Sequence, residues 1–307
     1  MALTVRLMWS AKLKHLRLWV ADRSILFVLL LLAIYFAIIS SPALFSGNAF
    51  GGDVSHTFQT IDLSQLRPEY FLSGSIVVVL LLIGWSKSAR LTSTPHWSGV
   101  WAPVIYALFT LVLLGVAIKI NSTKGVDVVS VLKTVPWGSF ILLVLLIGLF
   151  EECLFRGAVF HGFELNYGPL VAALVSSVLF GAMHFINWVT GEALGSTFDQ
   201  IIQAGMSGLL YVGITLRMNS IWFGVVTHAI WDGVINISGK LDAAAIVLGS
   251  EETVTIEASS TGDAAAASAG IISLLVKYFQ PLFGVFVLWS WWRQSKRPTA
   301  TAQTFEK

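Results

Sequence analysis

Runs of about 20 apolar residues recur eight times along this chain, near 24–45, 70–86, 99–119, 138–162, 169–189, 199–217, 219–238 and 272–293. A hydrocarbon core about 30 Å thick takes roughly 20 helical residues to cross, and only helices or closed barrels satisfy their backbones there. The expected fold class is therefore all-α: a polytopic integral membrane bundle of about eight transmembrane helices. Composition agrees, with 56% hydrophobic and 12% charged residues, where soluble domains carry about a quarter charged residues. Disorder, a coiled coil and a disulfide scaffold are excluded together, and Cys153 has no second cysteine to pair with. A formal charge of +2, scattered along the chain, argues against nucleic-acid binding.

The placement of charge predicts topology. Arg6, Lys12, Lys14, Arg17, Arg23, Lys87, Arg90, Arg217, Arg293, Lys296 and Arg297 fall on one side of an eight-span arrangement. The positive-inside rule makes that side, with both termini, cytoplasmic. Asp53, Asp62, Glu69, Glu192, Asp199, Asp242, Glu251, Glu252, Glu257 and Asp263 fall on the other. The organisation reads as a basic, amphipathic segment over 1–23, three peripheral spans within 24–137, a four-helix core over 138–238, an extracytoplasmic loop over 239–271, a last span over 272–293 and a tail over 294–307. The first span reads as a retained anchor. Trp289, Trp291 and Trp292 beside Arg293 read as an interfacial belt. The expected location is the plasma membrane of a bacterium.

Within the core, six ionisable groups interrupt apolar runs: Glu151, Glu152 and Arg156 in GLFEECLFRGAVF, His184 in LFGAMHFINW, and His228 and Asp232 in VVTHAIWDGVIN. Each is expensive in lipid, at about 2.5–3.5 kcal/mol on insertion scales, and marks a functional candidate. Counting a 1.5 Å rise from the cytoplasmic helix ends puts Glu151, His184, His228 and Asp232 about 12–22 Å deep, in one layer. Glu152 and Arg156, Phe180 and His184, and His228 and Asp232 are each four residues apart, one above the other on a helix face.

A carboxylate and an imidazole in low dielectric can activate water, and a second imidazole can stabilise an oxyanion, so amide hydrolysis in or beside the membrane is the natural reaction class. No H-E-x-x-H, G-x-S-x-G or G-x-G-D pattern is present. Glu151, His184 and His228 form a ligand set that suits Zn²⁺, so water activation with or without a metal stays open. Two other classes also fit the polar cluster. A non-catalytic membrane scaffold or immunity-type partner-binding protein would use it to hold the fold, and a proton-coupled transporter would use it as a relay.

The three motifs, Glu-Glu-x-x-x-Arg (Glu151, Glu152, Arg156), Phe-x-x-x-His (Phe180, His184) and His-x-x-x-Asp (His228, Asp232), resemble those of the CAAX protease and bacteriocin-processing (CPBP, or Abi) family of intramembrane proteases. The resemblance covers about 140–238. It implies that Glu151 is the general base, with His184 sharing the water, that Glu152 and Arg156 organise the site, and that His228 and Asp232 form the oxyanion pocket. The family's prenyl-CAAX proteases have Asn where Asp232 stands here. A charged Asp cannot donate to an oxyanion, so Asp232 is protonated, or orients His228, or another peptide is cleaved. The partners implied are a peptide or membrane-protein substrate, reached from the membrane or the cytoplasmic face, and the bilayer itself. Cys153 and Phe180 read as packing residues, and Asn187 and Asn236 as substrate contacts or interhelical bridges. His15, His56, His96 and His161 read as solvated or interfacial.

Overall fold

The computed structural model describes residues 2–46, 66–251 and 262–296, all helical or in connecting turns, with no strand among them. The helices are α1 (Ala2–Asp22), α2 (Ser24–Ser46), α3 (Leu66–Leu82), α4 (Trp101–Thr123), α5 (Val128–Lys133), α6 (Trp137–Glu152), α7 (Phe160–Met183), α8 (Phe185–Val189), α9 (Leu194–Met218), α10 (Trp222–Glu251) and α11 (Gly262–Ser295), with a π-helical turn, Cys153–Val159, joining α6 to α7. Asp53, Asp62, Glu252, Glu257 and Arg297 lie outside the described residues, as do His56 and segment 252–261 of the expected loop.

Among the described residues, four segments are long and apolar enough to cross a membrane: Ser24–Pro42, Trp97–Thr123, Trp137–Val189 and Leu194–Met218. The third holds 53 residues, about 80 Å of continuous helix, and is folded back on itself. At Gly168 the backbone takes φ 75° and ψ 171°, a region open essentially to glycine alone, and Pro169 follows. Beyond this reversal Ser176 donates to the Phe155 carbonyl at 2.8 Å, so the second half of α7 runs antiparallel to the π turn. Eight such runs were expected. The apolar part of α3 covers only Tyr70–Leu82, and α10 carries His228, Asp232, Lys240 and Asp242 among its apolar residues. The expected loop over 239–271 also begins later than its composition suggested. The helix continues to Glu251, past Asp242, which accepts a hydrogen bond from Asn121 of α4 at 2.9 Å.

One end of the bundle, here the terminal end, gathers the start of α2, the reversal of α7, the end of α9 and the end of α11. Ser24 donates to the Gly162 carbonyl at 2.8 Å, and Leu288 clusters with Ala172 and Leu216. The distal end gathers the end of α4, α5 and α8. There Asp127 caps α5, accepting from the Ser130 amide at 3.1 Å; hydrogen bonds from Ser130, side chain first, hold its carboxyl below the usual range.

Outward faces are apolar: Leu26, Leu29, Leu30 and Ile34 of α2 and Leu108, Leu111 and Val112 of α4 are exposed, as lipid-facing residues would be. Inside, small residues let helices touch backbone to backbone. A Cβ on Gly148 would stand 2.9 Å from the Val225 carbonyl oxygen of α10, and one on Gly208 would stand 2.8 Å from Ser177 Cα of α7. This close packing sets the distances between α6, α7, α9 and α10, which carry the polar residues.

Candidate active site

The π turn is where the sequence departs from regular helix, as π-helical turns often do at functional sites. Its wider turn brings Glu152 and Arg156 into the core together, both with no exposed side-chain surface, with Arg156 Nη1 3.0 Å from Glu152 Oε1. Such a pair stays ionised in low dielectric only when well partnered. Arg156 also donates to the Gly208 carbonyl at 3.3 Å and lies over the rings of Phe180 (4.3 Å) and Tyr211 (5.1 Å), two cation–π contacts. Glu152 leaves its Oε2 without a hydrogen bond, and a Cβ on Gly224 would stand 2.7 Å from that oxygen.

His228 of α10 is the hub. Its Nδ1 is 3.1 Å from Glu152 Oε1 and its Nε2 is 3.2 Å from Glu151 Oε2 and 3.8 Å from Asp232 Oδ1. A carboxylate facing each nitrogen suits an imidazolium, or a neutral ring beside one protonated carboxyl. Tyr211 stacks on the imidazole at 4.6 Å and 15°. Phe180 stands edge-on to both His228 (5.8 Å) and His184 (5.2 Å), so this packing residue also separates and orients the two imidazoles.

Glu151 and His184, expected to share a water, make no direct contact. The imidazole beside Glu151 is that of His228, with Nε2 3.2 Å from Oε2, while His184 closes α7 with its Nδ1 3.0 Å from the Phe180 carbonyl oxygen. An Nδ1–H donated there leaves Nε2 as the acceptor nitrogen of the ring. Glu151 and His184 still meet across space: both line a cavity of about 270 Å³ with Ile39, Leu72, Phe150 and Met183, ample for water. A second cavity, of about 290 Å³, touches His184, His228 and Asp232 from the other side. His161 is another correction. It is buried edge-on against Trp85, with Nδ1 3.4 Å from Glu164, because the turn after α3 folds over it. His96 is exposed, as expected, and Cys153 is free and fully buried.

The same geometry tests the zinc ligand set. Both nitrogens of His228 already face carboxylates, and His184 makes no ligand-like approach to either glutamate; no group of three His, Cys, Asp or Glu among the described residues converges to hold a metal ion. The donors as arranged do not fit one.

Three contributors had no motif to reveal them. Besides Tyr211, Tyr106 of α4 lies 3.3 Å from the Tyr211 hydroxyl and accepts from Gln280 of α11 at 2.6 Å. The only signal was a phenol or an amide alone in an apolar run. Asn187 donates to Gln200 at 2.5 Å and lines both cavities; Asn236 only returns a bond to the Asp232 carbonyl at 2.7 Å.

Comparison with curated proteins and with solved structures finds no match for the chain. Residues 133–234 match the family model described as type II CAAX prenyl endopeptidase Rce1-like, and this third of the chain contains all six ionisable residues of the site. It includes α6, the π turn, α7, α8, α9 and the first half of α10. Over this core the match is consistent with the CAAX protease (CPBP) family of proteases, and the apolar helices around it are those of an integral membrane protein.

Proposed function

We propose that the protein is an intramembrane endopeptidase that hydrolyses a peptide bond with water activated at Glu151, within an eight-crossing bundle in a bacterial plasma membrane, both termini cytoplasmic. The observation that carries this reading is the division of labour between adjacent carboxylates. Glu152 is sealed and held by Arg156 and His228, whereas Glu151, 23% exposed, faces a cavity that it shares with His184. A fixed acid and an accessible base on neighbouring residues suit general-base work.

In the proposed reaction a water in that cavity lies between Glu151 and the acceptor nitrogen of His184. Glu151 takes its proton as the oxygen bonds to the scissile carbonyl carbon. His228, ringed by Glu151, Glu152 and Asp232 and stacked on Tyr211, presents Nε2–H to the oxyanion. Collapse of the tetrahedral intermediate breaks the C–N bond, and the proton held on Glu151 passes to the leaving amine. Asp232 acts through His228, orienting and balancing it, which accounts for a carboxylate where the prenyl-CAAX enzymes carry an amide.

The test is purified protein in detergent with a peptide library. Glu151→Gln is expected to lower cleavage by about 10²–10⁴, the usual contribution of a positioned base, and His184→Ala to lower it comparably, with unchanged unfolding midpoints and no loss on adding a chelator. Wild-type turnover in folded Glu151→Gln would refute the assignment of the base, and a cellular phenotype retained by folded Glu151→Gln with no cleavage by the wild type would favour the scaffold reading.

A further inference from the structure

We infer that the site is reached from the distal end of the bundle, through the seam between α9 and α10, and that its substrate is an extended polypeptide segment on that side of the membrane. The substrate class rests on the hydrolase reading; the route does not.

The terminal end is closed. Beneath Glu152 lie Cys153, Leu154, Phe155, Ala158, Val159 and Phe160, none more than 1% exposed. The connection between α3 and α4 is laced across that end: the His96 amide donates to the Met218 carbonyl at 2.7 Å, the Trp222 indole to the Leu91 carbonyl at 2.9 Å, and Arg90 pairs with Glu164 at 2.9 Å. Of these residues only Phe155 touches either of the two cavities at the site, forming the floor of the smaller one.

Both cavities extend the other way. In the larger, Tyr211 lies at the site and Gln200 lies 11 residues nearer the distal start of α9, about 16 Å along the axis. On α10 the lining runs from His228 to Ile235, about 10 Å farther from the terminal end. Gln203 and Ile235 are exposed, which places the mouth between α9 and α10.

The lining identifies the occupant. Asn187, Gln200, Gln203 and Gln280 present amides, each both donor and acceptor, as an extended backbone with alternating N–H and C=O requires. They are held in place: Glu192 accepts from Thr197 at 2.9 Å and from Gln200 at 3.0 Å, and Gln200 accepts from Asn187. On the far side of Phe180 the smaller, apolar cavity offers room for one hydrophobic side chain next to Glu151. Arg17, Arg23, Lys87, Arg90, Arg217 and Arg293 lie at the terminal end, so the positive-inside rule makes the distal mouth extracytoplasmic. This route differs from the approach through the membrane or the cytoplasmic face expected from the sequence.

The chain's single cysteine is buried, so a Cys153→Ala background isolates introduced thiols. Gln203→Cys and Ile235→Cys probe the mouth, and Ser98→Cys, exposed at the terminal end, reports the opposite side. A membrane-impermeant maleimide is applied to vesicles of known sidedness. The expected result is that Gln203→Cys and Ile235→Cys react from the side opposite to Ser98→Cys. Reaction from the same side as Ser98→Cys, or from neither side, overturns the route. A bulky adduct at Gln203→Cys is expected to slow peptide cleavage at least tenfold, and the same adduct at Ser98→Cys to leave it unchanged; equal effects at both overturn the substrate path. Labelling is read without turnover, so failure of the route and failure of the hydrolase reading are separable.

Discussion

Replacing Arg156 by Met isolates what the buried charges do. The guanidinium and the Glu152 carboxylate are both fully buried, 3.0 Å apart. Truncating one member of such a pair destabilises by about 3–5 kcal/mol, because the other is left charged and dry. Arg156→Met removes the ion pair, the Gly208 bond and the cation–π contacts with Phe180 and Tyr211, while Glu152 keeps only His228. These losses overlap, so a net loss of about 3–5 kcal/mol is expected for the single variant. Glu152→Gln strands the guanidinium instead and should fall in the same range. The double variant Arg156→Met with Glu152→Gln carries no stranded charge and should be more stable than the sum of the singles implies by about 1–3 kcal/mol. The assay is denaturant unfolding in detergent followed by tryptophan fluorescence, with linear extrapolation. A loss below about 1 kcal/mol for Arg156→Met, or strict additivity in the double variant, would refute the buried pair as an energetic unit.

Three further outcomes follow from contacts already described. Gly224→Ala, which on an exposed helix would be stabilising, should instead lower stability by about 1–3 kcal/mol and reduce cleavage, since its Cβ would stand 2.7 Å from Glu152 Oε2; unfolding midpoints and turnover check it. Gly168→Ala forces a side chain into a conformation at φ 75° and should lose about 1–3 kcal/mol, seen as a lower midpoint with the catalytic pH profile unmoved. Tyr211→Phe keeps the ring on His228 and should hold turnover within about threefold, whereas Tyr211→Leu loses stacking worth up to about 1.5 kcal/mol and should slow it about tenfold.

Much of the site was written in local spacing. Glu152 and Arg156, Phe180 and His184, and His228 and Asp232 are each one turn apart, and one turn apart means one face of one helix, whatever the rest of the chain does. Their distance from a helix end could be counted for the same reason, because rise per residue is constant. The helical, membrane-embedded class followed from apolar runs that water would not tolerate. Less local features were misread. The reach of α10 to Glu251 depends on Asp242 finding Asn121 on α4, and the burial of His161 depends on Trp85 arriving from the turn after α3.

Which acid meets which imidazole was a question between helices. Glu151 and Glu152 are neighbours in sequence with similar side chains. Only the π turn, the approach of α10 at Gly148 and Gly224, and the insertion of Phe180 between the imidazoles send both glutamates to His228 and leave His184 across a cavity. Tyr211, Tyr106 and Gln280 join for the same reason, as did the direction in which the cavities open. Sequence therefore determined the material of the site and the face of each helix that carries it, since periodicity and hydropathy act within one helix. Tertiary structure decided partners and access, because those depend on how closely separate helices pack, and that is set by which glycines and serines happen to face one another.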